Sequence, residues 1–241
     1  MPSQDFFILL PPSEGKAIGG NNRAPWDPNA GVFGPALGDF RHDVAGRLAE
    51  LRGGNAQLLG VKGDHLNRAQ AANSSLIGAA TLPAWQRYTG VVWDHLDVAS
   101  LPASTRNKVV RRIFVPSGLM GIVRADDDVP DYRLKMGARL APFGLMSTWW
   151  RDDLTDAFSA VAKKKTIVDL LPQEHRAALS RDRLRDVRQV DLVSRTGGIV
   201  GGHNAKAAKG LLARHLLCSG ESFENAVESF DHPEYSAVLS N

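Results

Sequence analysis

Phe6-Phe7-Ile8-Leu9-Leu10-Pro11-Pro12-Ser13-Glu14-Gly15-Lys16 is the stretch from which the fold is read. An unbroken apolar run stopped by two prolines, which cannot donate to a ladder, suits a short strand buried on both faces of a sheet. The run is far shorter than the ~20 residues that span a bilayer. With Asp5 ahead of it, no basic n-region and no small-residue cleavage site, it also lacks the marks of a secretory leader. The loop Pro12-Ser13-Glu14-Gly15-Lys16 then leaves the strand at its C-terminal end, where open α/β sheets place ligands. It joins a hydroxyl, a carboxylate, a flexible glycine and an amine, so Glu14 and Lys16 are candidate acid/base residues and Ser13 a candidate anion contact. The Walker spacing Gly-x-x-x-x-Gly-Lys-Ser/Thr is absent, and Lys16 gives no ground for a nucleoside triphosphate site. The plainer reading is a proline-fixed turn with Glu14 and Lys16 solvated.

Outward from this stretch, Gly19 to Gly34 reads as a long irregular loop. Phe40, Val44, Leu48 and Leu51 recur at helical spacing, and Gly53-Gly54 ends that helix. Ile113-Phe114-Val115, Ile167 to Leu170 and Val190 to Val193 are short and β-branched, as strands are. Trp149 to Ala162 and Ala205 to Leu217 read as helices. Alternation of strands and helices predicts a mixed α/β (α+β) fold in one compact domain over residues 1–219, with an acidic C-terminal segment at 220–241. The 241 residues, 43% hydrophobic and 23% charged, suffice for a real core and exclude wholesale disorder. One cysteine, Cys218, excludes an intrachain disulfide and a Cys-rich metal site, and it fits a reducing, cytoplasmic compartment. A net charge of +3 is too small to name a polyanionic partner by itself.

Several patterns carry chemistry. In Tyr132-Arg133-Leu134-Lys135-Met136-Gly137-Ala138-Arg139, the cations Arg133, Lys135 and Arg139 and the phenol of Tyr132 suit an anion. In a strand Arg133 and Lys135 would share one face as a two-point clamp; the alternative is a polar edge strand. The helix from Ala205 places Ala205, Ala208, Leu212 and Leu216 on one side and Lys206 and Lys209 on the other. Lys206 in the first turn is suited to an anion at the free N–H groups, or simply to water. Residues 55–80 have a helix-hairpin-helix-like texture around Gly60, Val61, Lys62 and Gly63, one residue longer than the usual Gly-hydrophobic-Gly. Such hairpins hold phosphate backbones without reading bases. Basic residues concentrate between Arg106 and Arg214, including Arg111, Arg112, Lys163 and Lys164. Asp126-Asp127-Asp128 could chelate a divalent cation or solvate a turn, but the histidines and Cys218 form no zinc pattern, and no metal or cofactor is assigned. Gly197 to Gly202 lacks the dinucleotide fingerprint spacing.

Five blocks in this order resemble the YaaA family of peroxide-stress-resistance proteins. They are Pro12-Ser13-Glu14-Gly15-Lys16, Tyr88-Thr89-Gly90, Ser117-Gly118-Leu119-Met120-Gly121, Tyr132 to Leu140, and Ala205-Lys206-Ala207-Ala208-Lys209-Gly210. The family's first motif often reads Ser-Pro-Ala-Lys, so Lys16 is shared and Glu14 a departure. The resemblance implies a family-specific α/β fold with a positively charged cleft, double-stranded DNA as partner with little sequence specificity, and a cytosolic role in limiting damage by peroxide and iron. Gly60, Lys62, Gly63, Arg111, Arg112, Lys163 and Lys164 would then face DNA. The alternative is an enzyme acting on a small anionic nucleotide or nucleobase derivative. Arg133, Arg139 and Lys206 would hold its substrate, and Glu14 or Lys16 would act as acid or base. Iron sequestration by Asp126, Asp127, Asp128 and histidines is a third reading. No membrane partner is expected, and the oligomeric state is left open.

Overall fold

Strand β1, Phe6–Leu9, lies at the centre of a six-stranded sheet in the computed structural model, which describes residues 6–197 and 200–240. Asp5 and Gly198-Ile199, used in reading the sequence, and Asn241 of the acidic segment fall outside those residues. The remaining strands are β2 (Ile113–Ser117), β3 (Gly121–Arg124), β4 (Thr166–Asp169), β5 (Val187–Ser194) and β6 (Tyr235–Ser240). Their order is β6-β5-β4-β1-β2-β3. Four central strands are parallel, while β3 and β6 run antiparallel at the two edges. Phe6, Ile8, Leu9 and Leu10 are all buried, as a strand covered on both faces requires.

Alternate side chains of β1 show which helices cover which face. Phe6 meets Phe223 on one side and Phe7 meets Phe114 on the other; Phe114 in turn touches Phe33 and Phe158. Helices α1 (Gly34–Glu50) and α4 (Met146–Val161) lie on the Phe7 side, where Trp150 and Leu37 crowd Gly121. Helix α5, Gly202–Cys218, packs with Val91–Leu96, and helix α6, Phe223–Glu228, contributes Phe223 to the opposite face. Two further helices, α2 (Ala56–Leu59) and α3 (Gly63–Asn73), stand beside α1. Among the described residues no helix is long and apolar enough to cross a membrane.

The structure departs from the sequence reading in particular places. Gly19 to Gly34 is not wholly irregular: Asn21–Pro25 is a strand paired with Ala80–Pro83. Helix α1 begins at Gly34, and Leu51 lies beyond its end, exposed; the buried stripe is Leu37, Arg41, Val44, Ala45 and Leu48. Arg41 fits that apolar stripe because its guanidinium donates to the carbonyls of Pro28, Ala30, Met120 and Ile122 at 3.0–3.1 Å. Tyr132 to Ala138 is not a strand; its backbone bonds partly to the side chains of Asn73 and Glu174 and partly to the start of α4. The acidic segment packs into the fold. Its Phe223, Ala226, Val227 and Phe230 are buried, and β6 pairs with β5 in register from Tyr235↔Ser194 to Ser240↔Gln189.

Candidate functional site

The chain leaves β1 at Leu10 and turns through Pro11 and Pro12. Trp93 fixes this turn by donating its indole N–H to the Pro11 carbonyl at 3.1 Å. Gly15 and Lys16 then pair antiparallel with Thr89 and Tyr88. A Cβ at Gly15 would stand 2.8 Å from the Thr89 carbonyl oxygen, so a side chain there would push the two segments apart. The Ser13 hydroxyl is occupied in holding this corner, donating to the same Thr89 carbonyl.

The pairing buries the Lys16 ammonium. Nζ donates to the Ser13 carbonyl at 3.0 Å and sits 4.2 Å from the Tyr132 ring centroid and 5.6 Å from that of Tyr88. Burial pulls the Lys16 pKa down to about 7; Asp131 and Glu14 oppose this, whereas Arg133 and Arg68 add to it. Behind the lysine runs a buried hydroxyl chain. The Tyr88 and Tyr132 hydroxyls are 3.0 Å apart, the Ser117 hydroxyl lies 2.8 Å from that of Tyr132, and the Met120 N–H donates to Ser117 at 3.2 Å. Burial raises both phenols well away from ionisation, so at neutral pH the chain is made of neutral hydroxyls.

Lys16 stands between two hollows. The outer one, of about 490 Å³, is lined by Glu14, Lys16, His65, Arg68, Asp131 and Arg133 together with Val61 of the hairpin. The inner one, of about 70 Å³, is lined by Ser13, Glu14, Lys16, Tyr132, Lys135 and His175, among others. Burial lowers the His175 pKa, and its Nδ1 is buried without a hydrogen-bond partner. Arg68 ties the floor to the wall, donating to the Lys16 carbonyl at 2.8 Å and pairing with Asp131 at 2.9 Å.

Arg133 and Lys135 do form a two-point clamp, by irregular backbone and not by strand geometry. Its occupant is internal: Arg133 Nη2 meets one Glu14 oxygen at 2.6 Å and Lys135 Nζ the other at 2.7 Å. The two cations hold the Glu14 carboxyl below its usual range against the opposing effect of burial. Asn73, fully buried on α3, fixes the clamp: it accepts from the Arg133 N–H at 2.9 Å and donates to the Arg133 carbonyl at 2.8 Å and the Gly53 carbonyl at 3.0 Å.

The hairpin belongs to the same site. Asn55 caps α2 by accepting from the Leu58 N–H at 2.9 Å. Gly60 ends α2 with φ +64°, a left-handed conformation that favours glycine. Arg133 Nε donates to the Leu59 carbonyl at 3.0 Å, and Lys135 Nζ lies 3.6 Å from where a Gly60 Cβ would be. Lys62 is exposed at the tip. Two features that the sequence kept apart, the hairpin and the Tyr132–Lys135 segment, are thus one wall.

Other candidate residues lie elsewhere. Lys206 is exposed on α5 and lines neither hollow; Arg139 is exposed in a two-residue strand pairing with Gly144–Leu145. Lys209 donates to the Leu170 carbonyl at 2.7 Å, near the 2.6 Å Arg176–Asp169 pair. Arg111 and Arg112 precede β2, and Lys163 and Lys164 precede β4. These strands run parallel to β1, so the four cations stand at the opposite end of the parallel strands from Lys16. Arg112 is spent on the fold, its guanidinium 4.2 Å from the Phe6 ring centroid. Lys163 and Lys164 border a separate hollow of about 540 Å³ with Leu184 and Arg185. Asp127 accepts from the Val32 and Arg124 N–H groups, and Asp126 pairs with Arg124. Sequence reasoning missed Asn73 and His175 and carried Arg68 only as part of the hairpin. His65 and Arg68, three apart on α3, face one cleft, and that spacing was the available signal.

Fold and cleft together define a mixed α/β protein whose central-strand loop and the turn between α2 and α3 border a buried lysine. The family described as peroxide stress protein YaaA matches residues 6–239. A UPF0246 protein of Streptomyces coelicolor is 35% identical over 231 residues, covering 92% of this chain and 86% of its own. A UPF0246 protein of Corynebacterium efficiens is 34% identical, covering 93% and 90%. The chain belongs to the YaaA family of peroxide-stress proteins.

Proposed function

We propose that the chain acts in the cytoplasmic response to peroxide, limiting iron-dependent damage by binding double-stranded DNA with little sequence specificity along the hairpin and cleft. The observation that carries this reading is the single wall made by Leu59 and Gly60 with Arg133 and Lys135, next to which Lys62 is exposed. Hairpin N–H groups and Lys62 would hold one phosphate, while Arg68 and Arg133 beside it would hold the next; such contacts confer affinity without base readout. Arg111, Arg112, Lys163 and Lys164, at the far end of the parallel strands, take no part in this footprint. Titration of a labelled duplex at two salt concentrations tests the reading. Affinity should fall steeply with salt, and Lys62→Ala should weaken binding several-fold while Lys163→Ala leaves it unchanged. Salt-independent binding, or loss caused by Lys163→Ala and not Lys62→Ala, refutes it.

A second reading, an enzyme acting on a small anionic nucleotide or nucleobase derivative, is favoured by one feature that DNA binding leaves unused. Lys16 is buried between the two hollows, with a pKa pulled down to about 7. Calorimetric titration with nucleoside monophosphates tests it; saturable binding lost in Arg133→Met supports it, and no heat with any of them removes it.

A further inference from the structure

A salt-bridged lysine needs only a carboxylate, and an anion-binding lysine needs exposure. Lys16 has neither: its Nζ is 3.0 Å from a backbone carbonyl and faces an aromatic ring, while the carboxylates nearby are taken, Glu14 by Arg133 and Lys135, and Asp131 by Arg68. It is nonetheless shared by the lining of both hollows. We infer that Lys16 is a nucleophile that forms an imine with the aldehyde carbon of a phosphorylated aldehyde, whose phosphate is held by Arg68 and Arg133 in the outer cleft. The inference deepens the proposed function and rests on it only in taking the outer cleft as the place where phosphate is held.

The chemistry follows from the placement. A desolvated amine near neutral pKa keeps a large free-base fraction, and its lone pair can attack a carbonyl. The N–C bond forms as the carbonyl π pair moves to oxygen, and the proton lost by nitrogen is gained by that oxygen to give a carbinolamine. The nitrogen lone pair then forms the C=N bond as the C–O bond breaks, and the nitrogen's remaining proton passes to the departing oxygen, which leaves as water from the neutral imine. No oxidant or reductant is needed. His175 lines the same inner hollow as Lys16, with a ring whose pKa burial lowers. An outer volume of about 490 Å³ accommodates a sugar phosphate. The same chemistry is offered by two sources, a free aldose phosphate and the ring-opened sugar of an abasic site within a DNA strand.

Cyanoborohydride reduction followed by peptide mapping of the unsubstituted chain tests the inference without requiring any variant to fold. Glyceraldehyde 3-phosphate is one probe, and a duplex with one abasic site is the other. Reductive labelling at Lys16 at least tenfold faster than at Lys62 or Lys163, with either probe, is the expected result, and the probe that labels faster identifies the source. Lys16→Arg should abolish labelling at that position without raising it elsewhere. Labels spread over the exposed lysines with Lys16 unmodified by both probes overturn the inference. Anisotropy with an intact duplex, run in parallel, separates the two proposals. Intact duplex bound without a Lys16 adduct sinks the imine alone, whereas a Lys16 adduct without duplex binding sinks the DNA reading alone.

Discussion

Replacing Asn73 by alanine should loosen the clamp and cost stability together, because one buried side chain makes three hydrogen bonds that no water replaces. They run to the Arg133 N–H at 2.9 Å, the Arg133 carbonyl at 2.8 Å and the Gly53 carbonyl at 3.0 Å. At about 1 kcal/mol net for each bond, the loss is about 3 kcal/mol, and buried groups left unpaired push it upward. For a chain of this length each kcal/mol lowers the midpoint by ~2–4 °C, so a drop of ~6–12 °C is expected in a calorimetric scan. Urea unfolding should give a lower midpoint at unchanged slope. Arg133 loses its backbone anchor in the same substitution, so duplex affinity should fall even at temperatures where the variant is fully folded. A midpoint shift under ~2 °C with duplex affinity intact would show that the segment is held by something other than Asn73.

Glu14→Gln removes the internal occupant of the clamp and frees Arg133 and Lys135 for an outside anion. Because the Glu14 side chain is mostly exposed, the gain is limited to about 1 kcal/mol, roughly fivefold tighter duplex binding with a steeper salt slope, read by anisotropy. Weaker binding would refute an opposing role for Glu14. Lys16→Met should change how stability depends on pH. The lysine titrates at about 7 in the folded chain and ~10.4 unfolded, so between these values the unfolded chain binds more protons and stability rises with pH; below 7 the cost is complete and constant. The excess stability of Lys16→Met over the unsubstituted chain should therefore shrink from pH 7 to 9 in urea titrations, and a constant difference would contradict a buried, depressed amine. Arg41→Met leaves four carbonyls without their donor and should cost roughly 4 kcal/mol or more by chemical denaturation. A loss below ~1 kcal/mol would mean the apolar stripe alone secures α1.

What could be read in the sequence was whatever local pattern decides. The apolar run Phe6 to Leu10 followed by prolines was enough for a buried central strand, and Lys16 then lies just beyond the C-terminal end of that strand. Gly60 and Gly63 both adopt positive φ at the turn between α2 and α3, where glycine is favoured. Tyr132 to Arg139 was read on the wrong backbone: the ladder partners expected for Arg133 are replaced by Asn73, a contact sixty positions away in sequence. The burial of Lys16 was equally illegible, since it is created by Tyr88 and Tyr132, brought in by pairing and by the hydroxyl chain through Ser117. Charge clustering along the chain does not become clustering in space, for a simple reason. Residues before parallel strands and residues after them end up at opposite ends of those strands, so Arg111, Arg112, Lys163 and Lys164 are basic neighbours in sequence terms but not neighbours of Lys16.

The position of β1 also bears on how the protein is made. Its two flanking strands begin at Ile113 and Thr166, so this apolar stretch is synthesised well before the strands that cover its edges. At ~5–20 residues per second, the second partner emerges roughly 8–30 s after Leu9. For that interval Phe6 to Leu10 is an orphan sticky segment, a natural client for a chaperone at the exit tunnel, and a pause in translation before codon 166 would prolong its exposure.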